Sequence, residues 1–138
     1  MSEAQTIQFE LVSPEEKLVS EPVYMAVIPG SEGEMGVGAQ HSSFVVSLKP
    51  GVVKLYKEGL SESPRKIFIA GGFADVTGEN CTVLAEQAVN VDELDGDALK
   101  SQMADLAEDL NMAVEATDKL RIQRKLNMVR AQIDALRA

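Results

Sequence analysis

Apolar residues in the first two thirds of the chain occur in short runs that suit strands. Ile7, Phe9 and Leu11 alternate with polar residues, and further apolar runs, each bounded by turn residues, occupy 23–28, 44–48, 52–56, 66–70, 73–76 and 82–85. A period of two over such lengths is typical of strands with one buried face. No helical pattern long enough to connect parallel strands interrupts these runs, so we predict a mainly antiparallel sandwich or flattened barrel.

The period of the apolar residues changes after Val91. Two sets then recur at steps of three and four, which is the spacing of one helix face. The first set is Leu99, Met103, Leu106, Leu110 and Ala113, and the second is Ile122, Leu126, Val129, Ile133 and Leu136. Asp92 is the expected N-cap of the first helix. The turn expected near 112–117 holds neither Gly nor Pro, so a single helix of about 40 residues is an open alternative.

Composition divides the chain at the same place. All five prolines, all six Phe and Tyr residues and nine of the ten glycines precede residue 80. The aromatic residues fit core positions of a sheet. We therefore predict an α+β chain with two domains, an antiparallel β-sandwich in residues 1–90 and an antiparallel α-helical hairpin in residues 91–138.

Charge narrows the range of partners. The formal net charge of −9 argues against nucleic acid or an anionic lipid surface, because both demand a positive footprint. Residues 92–118 carry nine acids and one base, whereas residues 119–138 carry one acid and six bases. An antiparallel pair would use this pattern to attract its two helices to each other. The sequence shows no signal-peptide pattern and no membrane span, so we expect a soluble cytoplasmic protein.

Candidate catalytic groups are few. With one His and one Cys, we expect no metal site built from these residues, and we expect no cofactor. His41 precedes two serines, but adjacency in sequence is not the geometry of a nucleophile and its base, so a loop or interface role is favoured. Cys81 lies among apolar residues and is predicted to be a buried, inert strand residue.

A glycine run at Gly30, Gly33, Gly36 and Gly38 admits two interpretations. A nucleotide-binding loop should follow a strand and open a helix, whereas the apolar run at 44–46 indicates another strand. We therefore expect a connection between strands in which the glycines allow positive φ angles and close backbone contact.

Several segments together resemble the epsilon subunits of F-type ATP synthases, which are counterparts of the mitochondrial delta subunit. The strongest is GSEGEMGV at 30–37, followed by His41 and by LKPGV at 48–52. FELVSPE at 9–15, GGFADV at 71–76 and VLAE at 83–86 add to it. The resemblance spans roughly residues 7–138, in the right order, and only the combination of segments is specific.

The resemblance implies about ten strands and a function. Such a chain would be a non-catalytic central-stalk subunit that couples rotation of the c-ring to the gamma subunit. It would lie at the cytoplasmic face of the bacterial inner membrane and be held there only through partners. The loop expected to face the c-ring carries Glu32, Gly33, Glu34, Met35, Gly36 and His41.

The resemblance leaves two roles open for the hairpin of this chain. Its basic group could contact the catalytic alpha and beta subunits and inhibit ATP hydrolysis; this group is Arg121, Arg124, Lys125 and Arg130. Alternatively, the hairpin stays folded and these bases only complement the first helix.

A nucleotide site is not expected at the hairpin. Members that bind ATP there carry Ile/Leu-Asp-x-x-Arg-Ala, whereas this chain has Leu94 and Asp95 followed by Ala98 in the place of arginine. The segment 133–138 fits the pattern but ends the chain, and we interpret it as a chance match.

Two other classes of protein remain as alternatives. One is a free-standing β-sandwich binding module whose hairpin mediates dimerisation. The other is a small hydrolase that uses paired carboxylates, which would need two convergent acids of shifted pKa in one pocket.

Overall fold

The computed structural model describes residues 5–137, which divide into two compact units, one ending at Asn90 and the other beginning at Val91. The first unit contains ten strands. They are β1 (Ile7–Val12), β2 (Lys17–Val23), β3 (Met25–Gly30), β4 (Gly33–Gly38), β5 (Phe44–Leu48), β6 (Gly51–Tyr56), β7 (Arg65–Ile69), β8 (Gly72–Val76), β9 (Asn80–Ala85) and β10 (Ala88–Asn90). The second unit contains the helices α1 (Gly96–Met112) and α2 (Ala116–Ala135). The predicted fold class is confirmed.

The strands form two layers around one core. One layer has the order β4-β3-β6-β7-β10 and the other has the order β5-β8-β9-β1-β2. A single residue pair, Gly30 with Leu48, joins the layers at β3 and β5. Buried and more exposed residues alternate in β1, β8 and β9, and Ile7, Phe9 and Leu11 are fully buried as predicted. Each such side chain contributes about 1.5–3 kcal/mol by leaving water, so the core holds the layers firmly together.

The prediction of strands needs four corrections. β2, β4 and β10 were not predicted, and Val23 ends β2 where the sequence pattern placed it in one run with β3. The predicted antiparallel pairing holds for every strand pair described except one, because β1 pairs with β9 in parallel. As a result, β1 lies between β9 and β2 in the second layer.

The second unit is an antiparallel helical pair. Leu99 near the start of α1 packs with Val129 and Ile133 near the end of α2. Residues 113–115 separate the helices, which excludes the single long helix. Two expectations were wrong: Leu136 is exposed, and Asp92 lies in a 3-10 turn rather than at a cap.

The expected attraction between the helices is not seen as an ion pair joining α1 (Gly96–Met112) to α2 (Ala116–Ala135). The ion pair recorded for these helices joins Arg121 to Asp118 at 3.6 Å, within α2. Apolar packing of Leu99 with Val129 and Ile133 therefore holds the two helices together.

Candidate functional site

Five turns meet at one end of the sandwich, which we call the turn end. The β3–β4 turn lies beside the β5–β6 turn, since the Ser31 N–H donates to the Ser47 carbonyl at 3.0 Å and the Lys49 N–H to the Pro29 carbonyl at 3.0 Å. Leu48 pairs with Gly72, Gly72 with Ala85, and Leu84 with Val12. The turns that follow β1, β3, β5, β7 and β9 thus share this end.

Two glycines shape the turn end. Gly33 has φ +141° and open space around it, so its role is to let the chain reverse after Ser31 and Glu32. Gly72 has φ +138°, and a Cβ there would overlap the Leu84 carbonyl oxygen. Of the glycines in the predicted run, Gly33 has the expected positive φ angle. Gly36 and Gly38 are strand residues without positive φ.

Glu32 and Glu34, which we call the tip acids, project from the turn end. Both are exposed, and within residues 5–137 neither carboxylate has a basic group within ion-pair distance. Two unpaired carboxylates on one hairpin, Glu32 in its turn and Glu34 in β4, make a local negative surface that favours a basic partner.

The predicted loop is in fact a hairpin, and its residues do not form one patch. Glu34, Met35 and Gly36 belong to β4, whose six residues cover about 17 Å. His41 lies beyond the far end of β4, where the neighbouring Gln40 N–H donates to the Gly78 carbonyl at 2.8 Å. The structure therefore places His41 at the end of the sandwich opposite the tip acids.

The His41 ring contacts residues close to it in sequence. Its Nδ1 donates to the Ser42 carbonyl at 2.9 Å, and its ring centroid lies 5.1 Å from that of Phe44. The hydroxyl groups of Ser42 and Ser43 are not its recorded partners. This arrangement agrees with the loop role that the sequence favoured.

An apolar groove borders the turn end and was missed by the sequence reasoning. It encloses about 460 Å³, and its apolar lining includes Val12, Pro14, Phe73 and Leu84. Phe73 is 46% exposed and Leu84 38% exposed, so the expectation that all six aromatic residues fill the core was wrong. The alternation along β8 could have predicted this exposure. Ala74 and Val76 point inward, so Phe73 lies on the outer face with Asp75.

The basic group lies exposed along α2. All four side chains are exposed. Arg121 contacts Asp118 as described above, and no ion pair involving the other three is recorded among residues 5–137. These cations are available to a partner surface.

Comparison with known proteins identifies the family. A sequence profile described as the ATP synthase delta/epsilon chain, β-sandwich domain, matches residues 6–91. The chain belongs to the ATP synthase delta/epsilon family. It is 41% identical to the ATP synthase epsilon chain of Rhodospirillum centenum over 136 residues, which covers 96% of this chain and 93% of the relative. It is 40% identical to the epsilon chain of Rhodospirillum rubrum over 116 residues, which covers 84% and 85% of the two chains.

Solved structures agree with the delta/epsilon assignment. A chain in the cryo-EM structure of the Euglena gracilis mitochondrial ATP synthase, OSCP/F1/c-ring, matches with a TM-score of 0.84 and 28% identity, covering 97% of this chain and 82% of that one. A chain from the Tetrahymena thermophila mitochondrial ATP synthase central stalk and c-ring shares the fold, with a TM-score of 0.65 at 15% identity. It covers 98% of this chain and 99% of that one. The resemblance inferred from sequence motifs is confirmed.

The segment that would hold ATP in some delta/epsilon members has a structural role here. The Asp95 carboxylate accepts hydrogen bonds from the Asp97 N–H at 3.1 Å and the Ala98 N–H at 3.2 Å, which makes Asp95 the N-cap of α1. Ala98 is exposed and supplies no cation for a phosphate. The expectation of weak or no ATP binding stays a prediction, and Ala138 of the second motif match lies outside the described residues.

The remaining candidate, Cys81, is fully buried in β9. Burial, and secondly the nearby Asp75 carboxylate, raise the pKa of its thiol to about 12. The thiol is therefore protonated at neutral pH, as expected of an inert strand residue. In the described part of the chain, no three His, Cys, Asp or Glu side chains converge as metal ligands, and neither helix has the length and hydropathy of a membrane span.

Proposed function

We propose that this chain is a non-catalytic central-stalk subunit of a proton-translocating F-type ATP synthase and couples rotation of the c-ring to the gamma subunit. The observation that carries the proposal is the turn end: five turns, the tip acids and an apolar groove converge on one end of a sandwich in a chain of the delta/epsilon family. From its similarity to central-stalk chains, we infer that the chain is peripheral to the membrane sector. We place it at the cytoplasmic face of the bacterial inner membrane.

The turn end has the properties that contact with a rotating partner requires. The tip acids supply negative charge toward a basic loop, and the apolar groove beside them supplies area that can leave water on binding. Both features are fixed to a buried core, so a force applied at the turn end passes through the two sheets rather than through a flexible linker. In this proposal the c-ring loops bind Glu32, Gly33, Glu34, Met35 and Gly36, and His41 lies too far away to join them.

The chemistry of the chain supports a mechanical role. The imidazole of His41 donates to a backbone carbonyl, and the Cys81 thiol is buried and protonated. Neither group is set up as a nucleophile or a general base. Family membership favours this interpretation over a free-standing β-sandwich binding module or a small hydrolase.

Crosslinking tests the contact with the c-ring. We would place a photoreactive amino acid at Glu32 in the assembled enzyme and identify the products by mass. Glu58, an exposed acid beyond β6 at the opposite end of the sandwich, serves as the matched control position. We expect products with the c subunit from position 32 and none from position 58. Equal c-subunit labelling from both positions, or labelling from position 58 only, would contradict the proposal.

We extend the proposal to the hairpin, whose basic group would contact the catalytic alpha and beta subunits and slow ATP hydrolysis. The alternative is that these bases serve only to complement α1. The lack of any recorded ion pair between α1 and α2 among the described residues favours an outside partner. Hydrolysis rates of assembled enzymes with and without the basic group distinguish these roles.

A further inference from the structure

Glu21 is a charged residue at an inward-facing position of β2. It pairs with the fully buried Phe9 of β1, and Val19 and Val23, its neighbours on the same face of β2, are buried. Paired residues lie on the same face of a sheet, so the Glu21 side chain starts from the core side of the second layer. Among residues 5–137, β2 pairs with β1 alone and is the last strand of its layer. The carboxylate therefore lies at an open edge of the sandwich.

Arg65 occupies a similar position in the first layer. It is the first residue of β7 and pairs with Leu55 of β6, which is 3% exposed. Ile67 and Ile69, the next residues on the same face of β7, are buried. Each of the two facing layers thus carries one charged residue in an otherwise apolar inward row, and the two charges have opposite signs.

Both oxygens of the Glu21 carboxylate contact a cation of the first layer. Oε1 lies 3.6 Å from Arg65 Nη1, and Oε2 lies 3.4 Å from the Nζ of Lys57, which directly follows β6. The Glu21 side chain is 22% exposed, compared with 47% for Arg65 and 67% for Lys57. A single exposed ion pair contributes little to stability. Here one partly buried carboxylate joins two cations, so the two contacts act on the same strand.

The ion pairs lie where the chain passes from the second layer to the first. A single residue, Tyr24, connects β2 to β3, and its N–H donates to the Tyr56 carbonyl at 2.8 Å. The strand pairing that joins the layers, Gly30 with Leu48, lies at the other end of β3. The ion pairs therefore attach the second layer to the first at a place far from that pairing.

Solvent reaches the ion pairs through a cleft of about 220 Å³. The cleft is lined by the three charged residues together with Leu55, Glu62 and Ser63. Glu62 accepts from the Glu58 N–H at 2.7 Å, and no ion pair of Glu62 with either cation is recorded among residues 5–137. Glu21 is thus the acid that these cations contact, and dissolved ions can enter the cleft and screen the contact.

We propose that Glu21, Lys57 and Arg65 form a salt-sensitive latch between the two layers. The latch holds the edge strand β2 to the first layer, and β2 separates locally when these charges are screened or removed. It is a property of the isolated chain and does not depend on the proposed function. In a chain that transmits force, the latch would make the two layers move as one body.

Amide hydrogen exchange of the isolated chain tests the latch. The Gln8 N–H donates to the Glu79 carbonyl on the β9 side of β1, so the alternate residues of β1 bond to β2. The Val19 and Val23 amides, which lie opposite those residues, therefore report whether β2 is attached. We expect Glu21→Gln to speed their exchange about threefold to tenfold in low salt. The Val83 amide, in the central strand β9, should not change because the opening is local.

Salt and a second acid provide the controls. In about 1 M NaCl the screening length falls to about 3 Å, so wild type and Glu21→Gln should differ less than about twofold at Val19 and Val23. Glu10→Gln is the matched variant, because it removes a 3.5 Å ion pair with Lys17 that lies within one layer. We expect it to change exchange at Val23 less than about twofold. Equal acceleration by Glu10→Gln and Glu21→Gln overturns the proposal, and so does unchanged exchange in Glu21→Gln.

A change of background shows whether Glu21 acts through the two cations. In a chain that already carries Lys57→Gln and Arg65→Gln, Glu21→Gln should change exchange at Val19 and Val23 less than about twofold, because its partners are absent. The same acceleration in both backgrounds overturns the proposal.

The wild-type chain alone supplies a test that needs no variant to fold. Between low and high salt, exchange at Val19 and Val23 should rise about threefold or more relative to exchange at Val83. If all three amides change in parallel, no local opening occurs and the proposal is wrong.

Discussion

Reversing the charge of both tip acids, Glu32→Lys with Glu34→Lys, would weaken assembly without weakening the fold. An exposed contact between opposite charges contributes about 0.2–1 kcal/mol, and reversal replaces that attraction with a repulsion of similar size. The double variant should therefore lose about 1–4 kcal/mol of binding, which is about fivefold to 1,000-fold in affinity. Neither acid forms a recorded ion pair within residues 5–137, so the free energy of unfolding should change by less than about 0.5 kcal/mol.

The assay is ATP-driven proton pumping by membranes depleted of the chain and titrated with purified protein. The concentration that restores half of the pumping measures affinity, and high salt should narrow the difference between wild type and variant, since exposed charges are screened. Glu58→Lys is the matched control, with an exposed charge reversed at the opposite end. If the double variant and the wild type restore pumping at the same concentration in low salt, the assignment of the tip acids to a basic partner is wrong.

Three further predictions concern other parts of the molecule. Gly72→Ala should destabilise the chain by about 3 kcal/mol or more, measured by urea unfolding, because it combines a φ of +138° with overlap of the Leu84 carbonyl; Gly33→Ala, which has a similar φ but open space, should cost about 1–2 kcal/mol, and equal losses would contradict this account. The pKa of the Cys81 thiol is raised in the folded state to about 12, so the unfolded chain loses this proton at a lower pH than the folded chain does. The contribution of the thiol to the free energy of unfolding is therefore fully present below about pH 8.5. Above that pH the free energy of unfolding should fall by about 1.4 kcal/mol per pH unit toward pH 12. A Cys81→Ala variant should lack that part of the decline, and parallel pH profiles of the two proteins would refute the buried-thiol explanation. Replacing the basic group with glutamines should raise ATP hydrolysis by the assembled enzyme severalfold, and an unchanged rate, with binding intact, would show that these bases do not inhibit.

Periodicity predicted the elements whose pattern is local. The alternation of the buried residues Ile7, Phe9 and Leu11 with polar residues, and the steps of three and four in the hairpin, each reflect one buried face and needed no knowledge of partners. β4 could not be predicted this way, because its six residues include three glycines and only Met35 and Val37 are apolar. Its strand conformation comes from pairing with β3, which is a tertiary effect.

The structure shows which of the predicted site residues lie near one another, and sequence proximity did not. The tip acids lie together on the β3–β4 hairpin, but His41, which was grouped with them because it is near in sequence, lies beyond the far end of β4. The strand β4 separates Glu34 from His41 although the two residues are near in sequence. A prediction that included β4 would have placed His41 at the end of the sandwich opposite the tip acids. Phe73 was assigned to the core with the other aromatic residues, although the alternation within β8 places it outside.

The cap of α1 shows how a local signal can be ambiguous. Asp92 and Asp95 both precede an apolar helical period, and both residues suit an N-cap. The 3-10 turn at Val91–Glu93 takes up the first, so α1 begins after Asp95. Choosing between them requires the path of the chain out of β10, which sequence spacing does not give.

The central claim, that the chain transmits rotation between gamma and the c-ring, is tested most directly by measuring proton pumping and ATP hydrolysis together in membranes with and without it. We predict that membranes depleted of the chain still hydrolyse ATP but pump no protons, and that adding the wild-type chain restores pumping in proportion to the amount bound. Full pumping by membranes that lack the chain would contradict the account.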